Sequence, residues 1–220
     1  MLTEDLIENE TPVLNITDHI SKAREIFKNF PLNEIPVLGP EGYIGIIKQG
    51  MISNKLNDTS LQDLTTRFLR QKVSNNHNIF EAFSFFTDDN INTLPVIDKK
   101  NNYLGSIYKK TLLKKLGQWL KISEPGGIIQ LHLNMIDYSL AEMAQIVETN
   151  GAKILNCLSF PSSKNSKMID VILKINQEEL SSIIKTFERY EYQIKASFHK
   201  NIHKKGLDDR FDSFIRYLNV

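Results

Sequence analysis

The stretch "IPVLGPEGYIGII" (residues 35–47) returns later in the chain as "LPVIDKKNNYLGSI" (residues 94–107). Each copy begins with a short apolar run that carries a proline in its second position. A turn rich in Gly, Pro, Asn or Asp follows, and then a second apolar run around Gly45 or Gly105. Apolar runs bounded by such residues indicate strands joined by a turn. Because an internal repeat fixes the architecture, we predict two copies of one small unit.

A helical pattern precedes the strands in both copies. Apolar residues recur every three or four positions, as on one face of an amphipathic helix. A second helix is predicted to begin near Lys48 in copy one and near Lys109 in copy two, so the unit is helix, strand, turn, strand, helix. The helical apolar positions are Ile20, Ala23, Ile26, Phe27 and Phe30 in copy one, and Ile79, Ala82, Phe83 and Phe86 in copy two.

The composition excludes several classes of protein. The 220 residues are 41% hydrophobic and carry a formal net charge of +1, so no global charge attracts nucleic acid or an anionic membrane. The beginning, "MLTEDLIENE", is acidic and does not read as a signal peptide. Cys157 is the single cysteine, which excludes an intrachain disulfide. We expect a cytoplasmic protein with no nucleic-acid and no membrane partner.

The second half of the chain follows a different pattern. "ISEPGG" (residues 122–127) interrupts the repeat, and an alternating strand, "IIQLHLN" (128–134), comes next. Ser139 is the predicted N-cap of a helix over 139–152. Two strands joined by a polar hairpin loop, a second helix and a last strand complete the order β-α-β-β-α-β, which is ferredoxin-like.

We therefore predict an α+β protein of three parts: residues 1–122, residues 126–200 and a C-terminal amphipathic helix over 201–220. The helix is expected to dock on its own domain or on a dimer partner. Its apolar positions are Leu207, Phe211, Phe214, Ile215 and Leu218.

The repeated unit resembles the CBS domain, and the two copies resemble a tandem CBS pair (Bateman module). Ala23, "IPVL" and "YIGII" carry the resemblance in copy one, about residues 5–58, and Ala82, "LPVID" and "YLGSI" carry it in copy two, about residues 65–120. A CBS pair implies two small sheets packed about a pseudo-two-fold axis and a homodimer formed through the helices. With the β-α-β-β-α-β part, which resembles an ACT domain, the layout is similar to bacterial CBS–ACT regulatory proteins of the acetoin-utilisation type.

The resemblance also implies where a ligand would bind. In CBS pairs that bind adenosine nucleotides, the glycine continues as Gly-h-x-Thr/Ser-x-x-Asp, and the Asp accepts hydrogen bonds from the ribose hydroxyls. Here Lys48 and Met51 occupy the last two positions in copy one, and Tyr108 and Thr111 occupy them in copy two, so both carboxylates are missing. The candidate ligand-binding residues are Val13, Ile35, Lys48, Val73, Leu94, Tyr108, Lys109 and Thr111.

Two interpretations of these residues stay open. In the first, these residues simply begin helices, and Lys48 and Tyr108 then have only a structural role. In the second, they bind an anionic ligand such as an adenosine nucleotide, with a lysine near the phosphate and Tyr108 stacked on the base. No catalytic motif accompanies them.

The ACT resemblance directs attention to the turn formed by Asp137, Tyr138 and Ser139. ACT domains often carry an Asp-x-Pro-Gly-like turn there, and Tyr138-Ser139 stand where Pro-Gly would be. His132, His199 and Asp170 are expected on one face of the sheet, which is either an ordinary polar face or a zinc site. We predict no bound metal and no cofactor, and we interpret Cys157 as a small apolar side chain.

These patterns predict a non-enzymatic regulatory module. In one hypothesis, a small effector binds the CBS pair and changes the arrangement of a homodimer. In the other, the chain is a dimeric interaction scaffold with vestigial ligand sites, and its protein partner is unknown.

Overall fold

The computed structural model describes residues 1–8, 10–88, 91–162 and 165–198. The predicted C-terminal helix and His199 lie outside these residues. The chain divides into two compact units between Leu116 and Gly117, a few residues before the interruption at 122–127. None of the helices in the described ranges has the length and apolar character that a membrane crossing requires.

The first unit contains both copies, and each copy forms one three-stranded sheet. In both sheets a short first strand pairs parallel with the middle strand, which pairs antiparallel with the last one. The prediction of helix, strand, turn and strand is confirmed. Copy one consists of β1 (Leu14–Asn15), α1 (Ile20–Asn29), β2 (Glu34–Gly39) and β3 (Gly42–Lys48); copy two consists of β4 (Val73–Ser74), α2 (Ile79–Asp88), β5 (Thr93–Ile97), β6 (Tyr103–Tyr108) and α3 (Lys109–Trp119).

The two glycines of the repeat lie inside strands rather than at their ends. The register of each hairpin shifts just before Gly45 or Gly105, which marks the same bulge in both copies. Both strands then continue, to Lys48 in copy one and to Tyr108 in copy two. The strands therefore end where the second helices were predicted to begin, near Lys48 and Lys109. A glycine within a strand often marks a bulge or a close backbone approach.

The helix predicted near Lys48 is also absent from copy one. A short 3₁₀ turn, Gln49–Ile52, takes its place, whereas copy two continues into α3. The local sequences explain the difference, because Gly50, Ser53 and Asn54 form helices poorly while "KKTLLKKL" consists mainly of strong helix formers.

Each copy receives a backbone segment from the stretch that leads into the other copy. Leu69, which precedes β4, exchanges two hydrogen bonds with Ile46 of β3, with N···O distances of 2.8 and 3.0 Å. Glu8, which precedes β1, pairs in the same way with Ser106 of β6, at 2.9 and 3.4 Å. The glycine in β3 permits this approach, because a Cβ on Gly45 would lie 2.7 Å from the carbonyl oxygen of Leu69.

A buried carboxylate joins the two copies at the start of their middle strands. Glu34, only 1% exposed, begins β2, and Thr93 occupies the matching position in β5. One carboxylate oxygen of Glu34 accepts hydrogen bonds from the backbone N–H groups of Asn92 and Thr93, at 2.7 and 2.8 Å. The other lies 3.4 Å from the ammonium group of Lys48 on the neighbouring strand.

The second unit is a four-stranded antiparallel sheet with the order β10-β7-β9-β8. The helices α4 and α5 pack with one face of the sheet into a single apolar core. This topology confirms the ferredoxin-like prediction, although β8 and β9 extend farther toward their hairpin than predicted. The elements are β7 (Gly127–Asn134), α4 (Leu140–Thr149), β8 (Ile154–Ser162), β9 (Asn165–Ile175), α5 (Ser181–Arg189) and β10 (Gln193–Phe198).

Ser139 is the N-cap of α4, as predicted, and its hydroxyl oxygen accepts a hydrogen bond from the backbone N–H of Glu142 at 3.3 Å. The carboxylate of Glu142 does not return to the cap. It accepts a hydrogen bond from the hydroxyl group of Tyr192, just before β10. Glu142 therefore links the first helix of this unit to the segment that leads into its last strand.

The sheet face opposite the helices contains a buried charge. Asp170, 4% exposed, accepts hydrogen bonds from the ammonium group of Lys195 at 2.8 Å and lies 2.8 Å from Nδ1 of His132. The hydrogen bond from Lys195, followed by that from His132, holds the pKa of Asp170 below its usual value. The ionised carboxylate therefore stabilises the folded unit.

We expect Glu34→Ala to lower the free energy of unfolding by about 3 kcal/mol, because it leaves two backbone N–H groups without their charged acceptor. Urea denaturation monitored by circular dichroism measures this change. Glu34→Gln keeps an acceptor oxygen and should cost less, and Glu25→Ala on the exposed surface of α1 is the matched control. Equal stability of Glu34→Ala and Glu25→Ala would contradict the role of Glu34.

We expect Asp170→Asn to destabilise the protein at pH 7 by about 1–3 kcal/mol, through loss of charge-assisted hydrogen bonds. The pKa of Asp170 is lowered by folding, so its contribution is complete above the unfolded value of about 3.9 and is lost as the pH falls through the lower folded value. The difference between wild type and variant should therefore shrink in acid. Urea denaturation at pH 7 and at about pH 3 tests this, with Glu188→Gln as a surface control; a difference that does not depend on pH would contradict it.

Candidate functional site

The copy-two cleft, defined here as the cavity at the junction of β6 and α3, has a volume of about 340 Å³. This volume lies within the range of small-molecule pockets. Both copies contribute to its wall. Its lining residues are Glu8, Pro31, Leu32, Asn33, Asn92, Thr93, Tyr108, Lys109, Lys110 and Thr111.

The structure brings a carboxylate to the position where the sequence pattern lacks one. Thr111 stands where the nucleotide-binding pattern requires Asp, and its hydroxyl group donates a hydrogen bond to the carboxylate of Glu8. The backbone of Glu8 is hydrogen-bonded to Ser106 of β6, and this pairing holds the N-terminal acid beside copy two. The cleft therefore contains an acidic acceptor that comes from outside the motif.

Tyr108 lies beside this carboxylate and is half-buried. Its hydroxyl group donates a hydrogen bond to the side-chain oxygen of Thr11 at 2.9 Å. Burial raises the pKa of Tyr108, the bond to Thr11 lowers it, and the negative charge of Glu8 raises it further. The phenol of Tyr108 is thus neutral at physiological pH. It can contact a ligand through its aromatic ring and through the dipole of its hydroxyl group.

The two lysines of the cleft have different surroundings. The ammonium group of Lys109 donates to the carbonyl oxygen of Phe86 on α2, at 3.1 Å, and its backbone N–H donates to Asn92, at 2.9 Å. Lys109 is therefore engaged in joining α3 to the rest of copy two. Lys110 is exposed at the rim, so it is the better placed of the two to attract an anion.

The corresponding cavity in copy one is smaller, about 260 Å³, and lies around the 3₁₀ turn. Lys48 lines it and faces the buried Glu34. The backbone N–H of Lys48 contacts the sulfur of Met51 at 3.5 Å, so the thioether fills the position of the missing carboxylate. The copy-one cavity is lined by Asn33, Glu34, Lys48, Gln49, Gly50 and Asn92.

The other four residues predicted to bind ligand line neither cavity. Ile35 and Leu94 are completely buried, and Val73 is 2% exposed, so their side chains belong to the core. Val13 is half-buried immediately before β1. Four of the predicted ligand-binding residues line one of these two cavities. Lys48 lines the copy-one cavity, and the copy-two cleft is lined by Tyr108, Lys109 and Thr111.

A further cavity of about 530 Å³ lies at the hairpin turns and contains none of the predicted residues. There the backbone N–H of Tyr43 donates to the carbonyl oxygen of Asn101 at 3.0 Å. Its cations are already engaged, because Lys72 donates to Asn101 and Arg70 donates to backbone carbonyl groups. We interpret this region as the contact between the two hairpins.

In the second unit, the three residues of the predicted ACT turn have separate roles. Asp137 lines a polar cavity of about 460 Å³ and accepts a hydrogen bond from Asn134 at 3.1 Å. Tyr138 packs against the apolar core, and Ser139 caps α4. Cys157 also packs against this core, which confirms its interpretation as an apolar side chain.

The zinc interpretation gains no third ligand from the described residues. His132 and Asp170 are neighbours, but Asp170 also pairs with Lys195, and His199 lies outside the described part. Within the described ranges, no three side chains of His, Cys, Asp or Glu are grouped as a metal site would require.

Sequence reasoning missed Glu8 and Thr11. The acidity of the first ten residues was visible, but nothing in their pattern distinguishes Glu8 from its neighbours. Its role depends on strand pairing with Ser106, a contact between distant parts of the sequence. The signal that could have found it is the repeat itself, since Glu8 and Leu69 precede their copies in the same manner.

A family model for the CBS domain matches residues 62–118, which contain copy two. Copy two is therefore a CBS domain. Copy one repeats its sheet order, its bulge and its exchanged lead-in strand, so the first unit is a CBS domain pair.

Two solved structures are similar to this chain. A CBS domain pair/ACT domain protein from Thermotoga maritima is 16% identical, with a TM-score of 0.49, over 54% of this chain and 98% of that one. An acetoin utilization protein from Vibrio cholerae is 18% identical, with a TM-score of 0.47, over 56% of this chain and 95% of that one.

One curated relative is a homoserine O-acetyltransferase from Methanocorpusculum labreanum. It is 28% identical over 115 residues, which make up 51% of this chain. The match spans 23% of that relative, so most of the relative lies outside it.

Proposed function

We propose that the CBS domain pair is the sensing part of a non-catalytic regulatory protein, and that the copy-two cleft binds its small effector. The observation that carries this proposal is the carboxylate of Glu8, which is held on Thr111 inside a cavity of about 340 Å³. The cleft combines one acidic acceptor, one aromatic ring and the exposed cation Lys110.

The chemistry of the cleft favours a ligand with hydroxyl donors at one end and an anionic group at the other. Only one carboxylate oxygen of Glu8 accepts from Thr111, and no other group in the described part of the chain bonds to the second oxygen. An ionised acceptor suits a ribose diol, since charge-assisted hydrogen bonds are strong. Lys110 would attract the phosphate, and an adenosine nucleotide is thus the first candidate.

Regulation requires the bound state to differ from the free state. We propose that the chain forms a homodimer and that the effector shifts the balance between two arrangements of its subunits. It can do so only by its differential affinity for them.

Thermal unfolding of the purified protein with AMP, ADP, ATP and S-adenosylmethionine tests the ligand class. A compound at one hundred times its dissociation constant should stabilise the protein by about 2.7 kcal/mol. The 2′-deoxy form of the best ligand should bind more weakly, because it lacks one of the hydroxyl groups assigned to Glu8. No stabilisation by any of the four compounds would contradict the nucleotide assignment.

Glu8→Gln tests the site itself. It keeps the size of the side chain and removes its charge, so we expect the dissociation constant to rise about tenfold, or roughly 1.4 kcal/mol. Glu4→Gln is the matched control, since Glu4 lies in the same segment, accepts a hydrogen bond from Asn75 and does not line the cleft. Calorimetric titration gives both constants, and unchanged affinity in Glu8→Gln would move the ligand away from this cleft.

The alternative is a dimeric interaction scaffold with vestigial ligand sites. The observation that favours it is the copy-one cavity, which is smaller, about 260 Å³, while Met51, at the position of the missing carboxylate, packs against the apolar core instead of lining this cavity. A scaffold would remain a dimer with an unchanged scattering profile whichever compound is added. Small-angle X-ray scattering with and without the best thermal-shift ligand distinguishes the two functions.

A further inference from the structure

The ferredoxin-like sheet has one face that the helices of its own unit do not cover. We call this the open face. Apolar side chains lie on it in all four strands. Leu158, Phe160 and Phe198 are 42%, 40% and 54% exposed, and Ile128 and Ile172 are half-buried between them. Contiguous apolar surface of this kind usually marks a docking site.

The charges on the open face are mainly positive. Lys174 and Lys195 both lie there, together with His132. The one carboxylate among them, Asp170, is buried and already paired with Lys195 and His132. Lys174 is engaged as well, since its ammonium group donates to the carbonyl oxygen of Gly126 at 3.1 Å. The exposed part of the face therefore offers mainly apolar side chains, which suit the apolar side of an amphipathic segment.

The chain itself supplies such a segment. Residues 207–218, "LDDRFDSFIRYL", repeat apolar side chains at the three-and-four spacing of one helical face, and three aspartates stand on the remaining positions. As a helix, this stretch would be about 18 Å long. The open face is about 14 Å across, since three intervals of roughly 4.8 Å separate its four strands, so the two dimensions match.

The chain leaves the sheet at a place from which residues 207–218 can reach the open face. The last described strand, β10, is at the edge of the sheet, and its final residue, Phe198, lies on the open face. Residues 199–206 would connect it to the apolar stretch and could reach roughly 26 Å when extended. The segment can therefore return across the sheet from which it leaves.

We propose that the open face is the docking surface of the C-terminal segment of the same chain, with residues 207–218 lying on it as an amphipathic helix. Leu207, Phe211 and Phe214 then cover Leu158, Phe160 and Phe198, and the polar side of the helix, with Arg216, is turned to solvent. This inference does not depend on the ligand proposed for the CBS pair.

Disulfide trapping in the full-length protein tests the proposal. In a Cys157→Ala background, Phe160→Cys is combined with Phe214→Cys, and oxidation is followed on non-reducing gels. We expect an intramolecular disulfide to form about tenfold faster than in two control pairs, because docking raises the local concentration of the two thiols. The first control replaces Phe214→Cys by Arg216→Cys, on the opposite side of the predicted helix.

The second control replaces Phe160→Cys by Ile136→Cys, a side chain that is 91% exposed in the loop before α4. Circular dichroism of each reduced variant verifies that it is folded. Equal rates in all three pairs would overturn the proposal, since they would show an undirected segment. A covalent dimer as the main product of the first pair would overturn it too, because the occupant would then be a second copy of the chain.

Discussion

The carboxylate of Glu34 is the interaction on which the arrangement of the two CBS domains depends. It is buried at the point where the middle strands of both copies begin, and it caps the backbone of β5 from β2. A charge in such a place is tolerated only when hydrogen bonds and a counter-charge compensate its desolvation. Two N–H groups and Lys48 provide that compensation. The matching position in copy two is Thr93, so copy two has no acid at the corresponding point.

The exchange of lead-in strands links this architecture to the candidate site. Leu69 pairs with the edge strand of copy one and Glu8 pairs with the edge strand of copy two, so each sheet is completed by chain that belongs to the other copy. Only in copy two does the exchanged segment bring a carboxylate into the cleft. The two cavities therefore differ in their lining: Glu8 and Thr111 line the copy-two cleft, whereas Glu34 and Lys48 line the copy-one cavity.

The sequence predicted those features that depend on local patterns. The apolar spacing around Ala23 and Ala82 located two helices, and the alternation over 128–134 located β7, because burial on one face imposes a period that can be read directly. It did not predict the bulges beside Gly45 and Gly105, since a glycine is compatible with both a turn and a strand. Glu8 and Glu34 escaped prediction, because each is defined by partners on other strands rather than by its neighbours in the chain. Asp170 was placed correctly on the face of His132, but its burial and its pairing with Lys195 were not predicted.

The exchanged lead-in strands have a consequence for the evolution of the chain. Repeats that arise by duplication are often treated as units that can be lost, shuffled or reordered one at a time. Here the removal of either copy would take away the strand that closes the edge of the other sheet, and an uncovered edge invites aggregation. Selection should therefore preserve the two copies as one inherited block.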